Sequence, residues 1–198
     1  MTHLAGGGPR AVPPGQRPRA GGLVPLHYGP VPHPDLTTWS LRIGGSTASA
    51  AATELTYEQI RSLPTISVPA DHHCVAKTTV QGLTWTGVAA STVLAMAPPA
   101  SHVRHVLLSA EYGYSSSVRI SDLAAADAVL AWELGGEPLP PEHGWPLRMV
   151  LPSLYGYKGP KWIRAIDYLD HPQRGFWEQR GFHLTGEVWH EQRYAYQE

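Results

Sequence analysis

The one cysteine of the chain, Cys74, lies in the run ADHHCVAK from Ala70 to Lys77, directly after His72 and His73 and three residues before Lys77. A thiolate is what a metal or an electrophile engages, and polar, partly cationic neighbours suit one. Free cysteine is also among the most buried residue types, so on these residues alone inert packing stays open. On an extended backbone His72 and Cys74 share one face and His73 takes the other, so the three cannot ligate one ion without a sharp turn. The run reads as one ligand with supporting side chains rather than as a zinc site, which would normally add a further spaced pair of Cys or His. A zinc or copper protein drawing on some of the 11 histidines remains a further reading.

Two later loops carry cations. EHGWPLR places His143 before Gly144, with Arg148 five residues on, and YGYKGPKW places Lys158 and Lys161 around Gly156 and Gly159. Gly144 permits close backbone approach, and an arginine fork matches a phosphate with two parallel hydrogen bonds. Each loop taken singly could be an ordinary charged turn with solvated side chains. Separated only by a short apolar strand, the two together suggest one site for an anionic cofactor.

The elements that must position these groups are short and strand-rich. In TTWSLRIGG, Trp39, Leu41 and Ile43 alternate with Ser40 and Arg42, and Gly44 and Gly45 stop the strand. Thr56 stands three residues before Gln59, the spacing of a capping box, with Pro64 beyond, so a short helix follows. Thr65 to Ala70 leans to strand and delivers the chain to Cys74. Gly87 to Ala97 reads as a second short helix, closed by Pro98 and Pro99. VRHVLLSAE, SSSVRI, AVLAWEL, LRMVLP and WIRAIDYL read as strands, with a small helical turn from Ser121 to Ala126. The expected fold is α+β: mixed, mostly β, with short helices and long loops.

Composition narrows the function classes. The 198 residues suffice for one domain with a sizeable core, and a formal net charge of −1 gives no electrostatic reason to expect nucleic acid. No run approaches the roughly 20 apolar residues of a membrane span. Met1 to Gly22 is nearly half Gly and Pro, lacks the apolar core of a secretory signal, and is expected to be a flexible tail ahead of a single domain over 23–198. A cytoplasmic location is the default expectation, to which one unpaired cysteine adds a little.

The order of motifs is more specific than any one of them. HCV follows a strand, Trp85 and Gly87 come about eleven residues later, Gly113 and Tyr114 precede a strand, and then come HGWPLR, YGYKGPKW and GFW with RG. In this order the chain resembles, over about residues 23–196, the molybdopterin-binding domain of the sulfite oxidase family. It is most similar to the short single-domain bacterial type, which includes methionine sulfoxide reductase catalytic subunits. The resemblance implies a mostly β fold with the cofactor held between loops. It implies Cys74 as the molybdenum ligand beside one pterin dithiolene, His143 and Arg148 on the pterin and its phosphate, and Lys158 and Lys161 as basic contacts to the same group. It further implies that His27, in LHYGPVP, covers the pterin and that Tyr114 stands on the substrate side of the metal. Leu26 replaces the asparagine usual beside that histidine. Sulfite oxidases proper carry arginines shortly after the cysteine; here Val75, Ala76, Lys77 and Thr78 follow, which points away from sulfite. The implied activity is oxygen-atom transfer to or from a small substrate such as a sulfoxide or N-oxide. Electrons would pass to or from a separate haem or flavin protein, and the chain would be a monomer. A non-catalytic molybdopterin-binding module is the alternative that keeps the fold.

Overall fold

The structure, a computed structural model, describes residues 11–198. In chain order the elements are β1 (Arg17–Pro18), β2 (Ser40–Gly45), β3 (Thr53–Thr56), α1 (Tyr57–Arg61), β4 (Thr65–Pro69), β5 (His72–Cys74), β6 (Thr78–Val80), β7 (Thr84–Ala89) and α2 (Ala90–Met96). After these come β8 (His105–Ala110), β9 (Ser115–Arg119), α3 (Ile120–Leu123), β10 (Val129–Leu134), β11 (Glu137–Pro138), β12 (Arg148–Val150) and β13 (Ile163–Leu169). Strand outweighs helix, as the alternating apolar pattern predicts.

One sheet runs β3-β2-β13-β8-β9, parallel only between β2 and β13. Its inward residues include Leu41, Ile43, Leu108 and Ile166, each at most 1 % exposed, and burying a side chain of this size stabilises by roughly 1.5–3 kcal/mol. A second sheet runs β11-β10-β7-β4, with β12 added to β10, all antiparallel. The main apolar core draws on both sheets, and Trp85, Val68, Val129, Ala131, Leu139 and Val150 form a smaller apolar group toward the site. The third sheet, β1-β6-β5, is short and carries Cys74 at the end of its hairpin.

Local signals account for most of these boundaries. Thr56 and Gln59 form the reciprocal capping box at the start of α1, and Ile60 is the residue that the helix buries. The helix expected from Gly87 is corrected: Gly87 to Ala89 belong to β7, and α2 begins only at Ala90. A β-carbon at Gly87 would overlap the Leu130 carbonyl oxygen, so this glycine is there for close strand packing and does not weaken β7.

Of the stretch expected to be a flexible tail, residues 1–10 lie outside the described residues, and the rest touches the domain. Arg17 and Pro18 pair in parallel with Thr78 and Thr79, and Gln16 is only 8 % exposed. Two backbone hydrogen bonds and one buried amide hold this Gly- and Pro-rich strand against an existing edge. The bonds are Arg17 N–H to the Lys77 carbonyl and Arg19 N–H to the Thr79 carbonyl, while Gln16 N–H closes a local turn onto the Pro13 carbonyl.

Candidate functional site

β5 alternates as an extended strand must. His73 points into the protein, and His72 and Cys74 share the other face, about 7 Å apart along the strand. Cys74 is a free, partly exposed thiol. Its hairpin turns through Lys77, which adopts φ 69°, and the Lys77 N–H donates to the Cys74 carbonyl at 3.1 Å.

Opposite stands the HGWPLR loop. A single 3-10 turn, Pro141–His143, ends at Gly144 with φ 118°, a conformation that glycine adopts without strain. β12 then starts with Arg148, 3 % exposed, whose guanidinium lies 5.0 Å from the centre of the Trp85 ring and whose Nη1 donates to the His143 carbonyl at 3.0 Å. Burial lowers the Arg148 pKa to about 10. Lys161 reaches in from the next loop, its Nζ donating to the Glu142 carbonyl at 2.7 Å and to the Leu26 carbonyl at 2.9 Å. Burial first, and Arg148 second, bring the Lys161 pKa down to about 7. His143 is pushed below the ordinary histidine range by burial, then by Lys161 and Arg148. His72 is driven to about 3 by burial and by Arg148, His73, Lys161 and His143 together. Gly156 lets the His72 ring sit against the backbone, for a β-carbon there would overlap it.

The result is a group of four basic side chains, His72, His143, Arg148 and Lys161, with Glu142 the acid that acts on His143 and Lys161 in return. Two of its buried nitrogens, His143 Nδ1 and Arg148 Nε, have no hydrogen-bond partner. A buried donor left without a partner costs about 1–3 kcal/mol, so this arrangement suits a ligand rich in acceptors and negative charge. His27 closes the edge: its ring meets Trp162 edge-on at 5.3 Å, and its Nδ1 lies 2.9 Å from the Gly29 carbonyl.

Tyr114 stands behind Arg148, stacked on Phe176 at 5.6 Å, its hydroxyl donating to the Tyr157 carbonyl at 2.7 Å. Burial raises its pKa, and Glu178 raises it further. Lys158 is not brought to the cationic group. Its ammonium, wholly buried, donates to Glu178 Oε1 at 2.5 Å and to the Leu184 carbonyl at 2.6 Å. The sequence placed Lys158 and Lys161 together because they are three residues apart; the turn at Gly156–Lys158 sends them opposite ways. His72 and Trp85, by contrast, were not assigned to the anion site from sequence: they arrive from β5 and β7, and the motifs that contain them say nothing of an anion.

Among the described residues, no group of three or more His, Cys, Asp or Glu side chains is placed to hold a metal ion, so the zinc or copper reading gains nothing here. No described helix is long and apolar enough to cross a membrane.

The model of the oxidoreductase molybdopterin-binding domain matches residues 28–177. The chain belongs to that family. It is 36 % identical over 186 residues to an uncharacterized oxidoreductase, YuiH, of Bacillus subtilis, an alignment covering 93 % of this chain and 92 % of the relative. With the catalytic subunit MsrP of the protein-methionine-sulfoxide reductase of Gluconobacter oxydans it shares 28 % over 158 residues, 71 % of this chain and 50 % of the other. With human mitochondrial sulfite oxidase the identity is 25 % over 181 residues, 77 % of this chain and 33 % of the other. The chain therefore spans nearly the whole Bacillus relative but half or less of these two enzymes. Among solved structures, the sulfane dehydrogenase SoxCD from Paracoccus pantotrophus has the same fold, with a TM-score of 0.66 and 22 % identity over 74 % of this chain and 42 % of that one. The family's cofactor, a phosphorylated pterin, fits the residues present: it carries acceptors and negative charge, and the site offers cations and unpartnered buried nitrogens.

Proposed function

We propose that this molybdopterin-binding oxidoreductase transfers an oxygen atom to or from a small substrate of the sulfoxide or N-oxide class and exchanges electrons with a separate haem or flavin protein. Cys74 would be the protein thiolate on molybdenum, and a soft thiolate suits that metal. The observation that carries the reading is the cationic group facing the Cys74 strand, with His143 Nδ1 and Arg148 Nε buried and unpartnered. When bound, the cofactor supplies two-electron oxygen-atom transfer. The protein's part is to hold and surround it. Arg148, clamped by the His143 carbonyl and seated over Trp85, presents a fixed guanidinium edge to the phosphate. Lys161 adds charge from the far wall, and His143 offers Nδ1 to a pterin acceptor. His72, held neutral, gives a ring beside Cys74 without adding a second cation there. His27 and Trp162 exclude water from the rim. Tyr114 donates its hydroxyl hydrogen bond to the Tyr157 carbonyl, so the lone pairs of its oxygen are left as an acceptor toward the Arg148 side.

The decisive experiment compares metal and pterin content in wild type and Cys74→Ser, both produced in a host that makes the cofactor. Wild type should hold about one molybdenum and one pterin per chain, with a thiolate-to-metal absorption band that Cys74→Ser lacks. Arg148→Met should retain the fold and lose most of the pterin. Zinc at full occupancy without pterin would overturn the reading. Molybdenum without oxygen transfer to sulfoxides or N-oxides would leave a binding module.

A further inference from the structure

We infer that Gln16 is a positioning residue for Cys74, so that the strand before the domain's expected start orients the cysteine; this rests on reading Cys74 as the metal's thiolate. Gln16 lies 58 residues away in sequence, yet its Nε2 donates to the Cys74 carbonyl at 3.2 Å. Its Oε1 accepts from Thr79 Oγ1, also at 3.2 Å, and Thr79 is wholly buried. Thr79 Oγ1 in turn is 2.9 Å from His73 Nδ1. A hydroxyl has one proton, and an amide oxygen only accepts, so the Thr79 proton points to Gln16 and His73 Nδ1 must be the donor. The chain of bonds thus has one direction: His73 to Thr79, Thr79 to Gln16, Gln16 to the carbonyl of the residue next to His73. It closes into a ring around the cysteine hairpin.

The backbone reinforces the same loop. Arg17 N–H donates to the Lys77 carbonyl at 3.0 Å and Arg19 N–H to the Thr79 carbonyl at 2.8 Å, which fixes both sides of the turn after Cys74. At its other end the strand is tied to the opposite wall. Arg193 Nη2 donates to the Pro14 carbonyl at 3.3 Å, and the same guanidinium lies 5.0 Å from the Tyr155 ring, next to the Gly156 that receives His72. The Cys74 carbonyl therefore accepts from Lys77 within the hairpin and from Gln16 outside it. The first bond shapes the turn; the second fixes the carbonyl plane, and with it the direction of the Cys74 side chain, relative to the cationic wall. A ligand on a three-residue strand has little else to hold it to the roughly 0.5 Å that a working site requires.

The test uses the full-length protein in two states. In the cofactor-free state, iodoacetamide alkylation of Cys74 should accelerate about five- to tenfold in Gln16→Ala and in Gln16→Glu, the factor set by losing one hydrogen bond of ordinary net strength. Gln16→Glu has the shape of glutamine and keeps the acceptor for Thr79, but it has no donor for the Cys74 carbonyl. Thr79→Val should match Gln16→Ala, Thr79→Ser should behave as wild type, and the Gln16→Ala, Thr79→Val double variant should be no worse than either single one. In the molybdenum-loaded state, the electron paramagnetic resonance spectrum of the one-electron-reduced protein should shift in Gln16→Glu, a change that a purely structural brace would not produce. Unchanged alkylation and an unchanged spectrum in Gln16→Glu would overturn the inference, as would alkylation rates that merely follow the loss of Tm across the series. Failure of the wild type to bind molybdenum would strike the proposed function alone, because the alkylation series reads Gln16 without it.

Discussion

Lys161 is the residue whose charge most directly links the site to pH. Its folded pKa, about 7, lies below the ordinary 10.5 because the ammonium is buried beside Arg148, with Glu142 offsetting part of the effect. Below about pH 7 both folded and unfolded chains carry the proton, and the cost of burying the charge is present in full. Between 7 and 10.5 the unfolded chain binds more protons than the folded one, so stability of the cofactor-free protein should rise with pH across that window. Anion binding should run the other way. The increase in Tm produced by inorganic sulfate, whose charge is constant in this range, should shrink as pH passes upward through 7, and Lys161→Met should flatten both trends in a thermal-shift series. His143, Arg148 and Lys161 could be read from the sequence because glycines and prolines mark their loops. Lys158 could not be placed: its partner Glu178 is 20 residues away, and nothing in YGYKGPKW shows which of its lysines turns inward.

At the scale of elements, the Lys158 to Glu178 ion pair fixes the turn that brings Gly156 against His72. Both side chains are wholly buried, and Glu178 also accepts from the Ser117 N–H at 3.0 Å. Lys158→Met would leave a buried carboxylate without its cation, which costs about 3–5 kcal/mol. In a chain of this size that is a fall in Tm of roughly 10 °C, measurable by calorimetry. Lys158→Met with Glu178→Leu should recover most of the loss, because an apolar pair of similar volume removes the stranded charge. β2 was legible because one face of it meets the core, so period-two alternation marks it, as in Trp39, Leu41 and Ile43, whereas β10 and β12, buried on both faces, show as short continuous apolar runs. β7 was misread at Gly87 because glycine carries no sign of the Leu130 carbonyl it must admit. β1 was missed because strand pairing at an edge needs backbone groups and leaves no mark on composition.

For the whole molecule, a cofactor held by the buried Arg148 guanidinium and the Lys161 ammonium would make its binding and the stability of the fold parts of one equilibrium. A ligand held at about a thousand times its dissociation constant stabilises by about 4 kcal/mol, so loaded protein should melt roughly 10 °C above the cofactor-free form. Arg148→Met should erase most of that difference while changing the cofactor-free melting point far less; equal losses in both forms would show that Arg148 serves packing alone. The rim is held differently from the sheets. Val24, Leu26 and Tyr28 are 41, 69 and 52 % exposed, and this stretch holds to the body through the Leu26 carbonyl on Lys161, the His27 ring on Trp162 and the Tyr28 ring on Phe176. No sheet hydrogen bond runs through it, so the three sheets can be complete while it stands open. Displacing this stretch to admit a prosthetic group would therefore break one hydrogen bond and two ring contacts and leave every sheet whole.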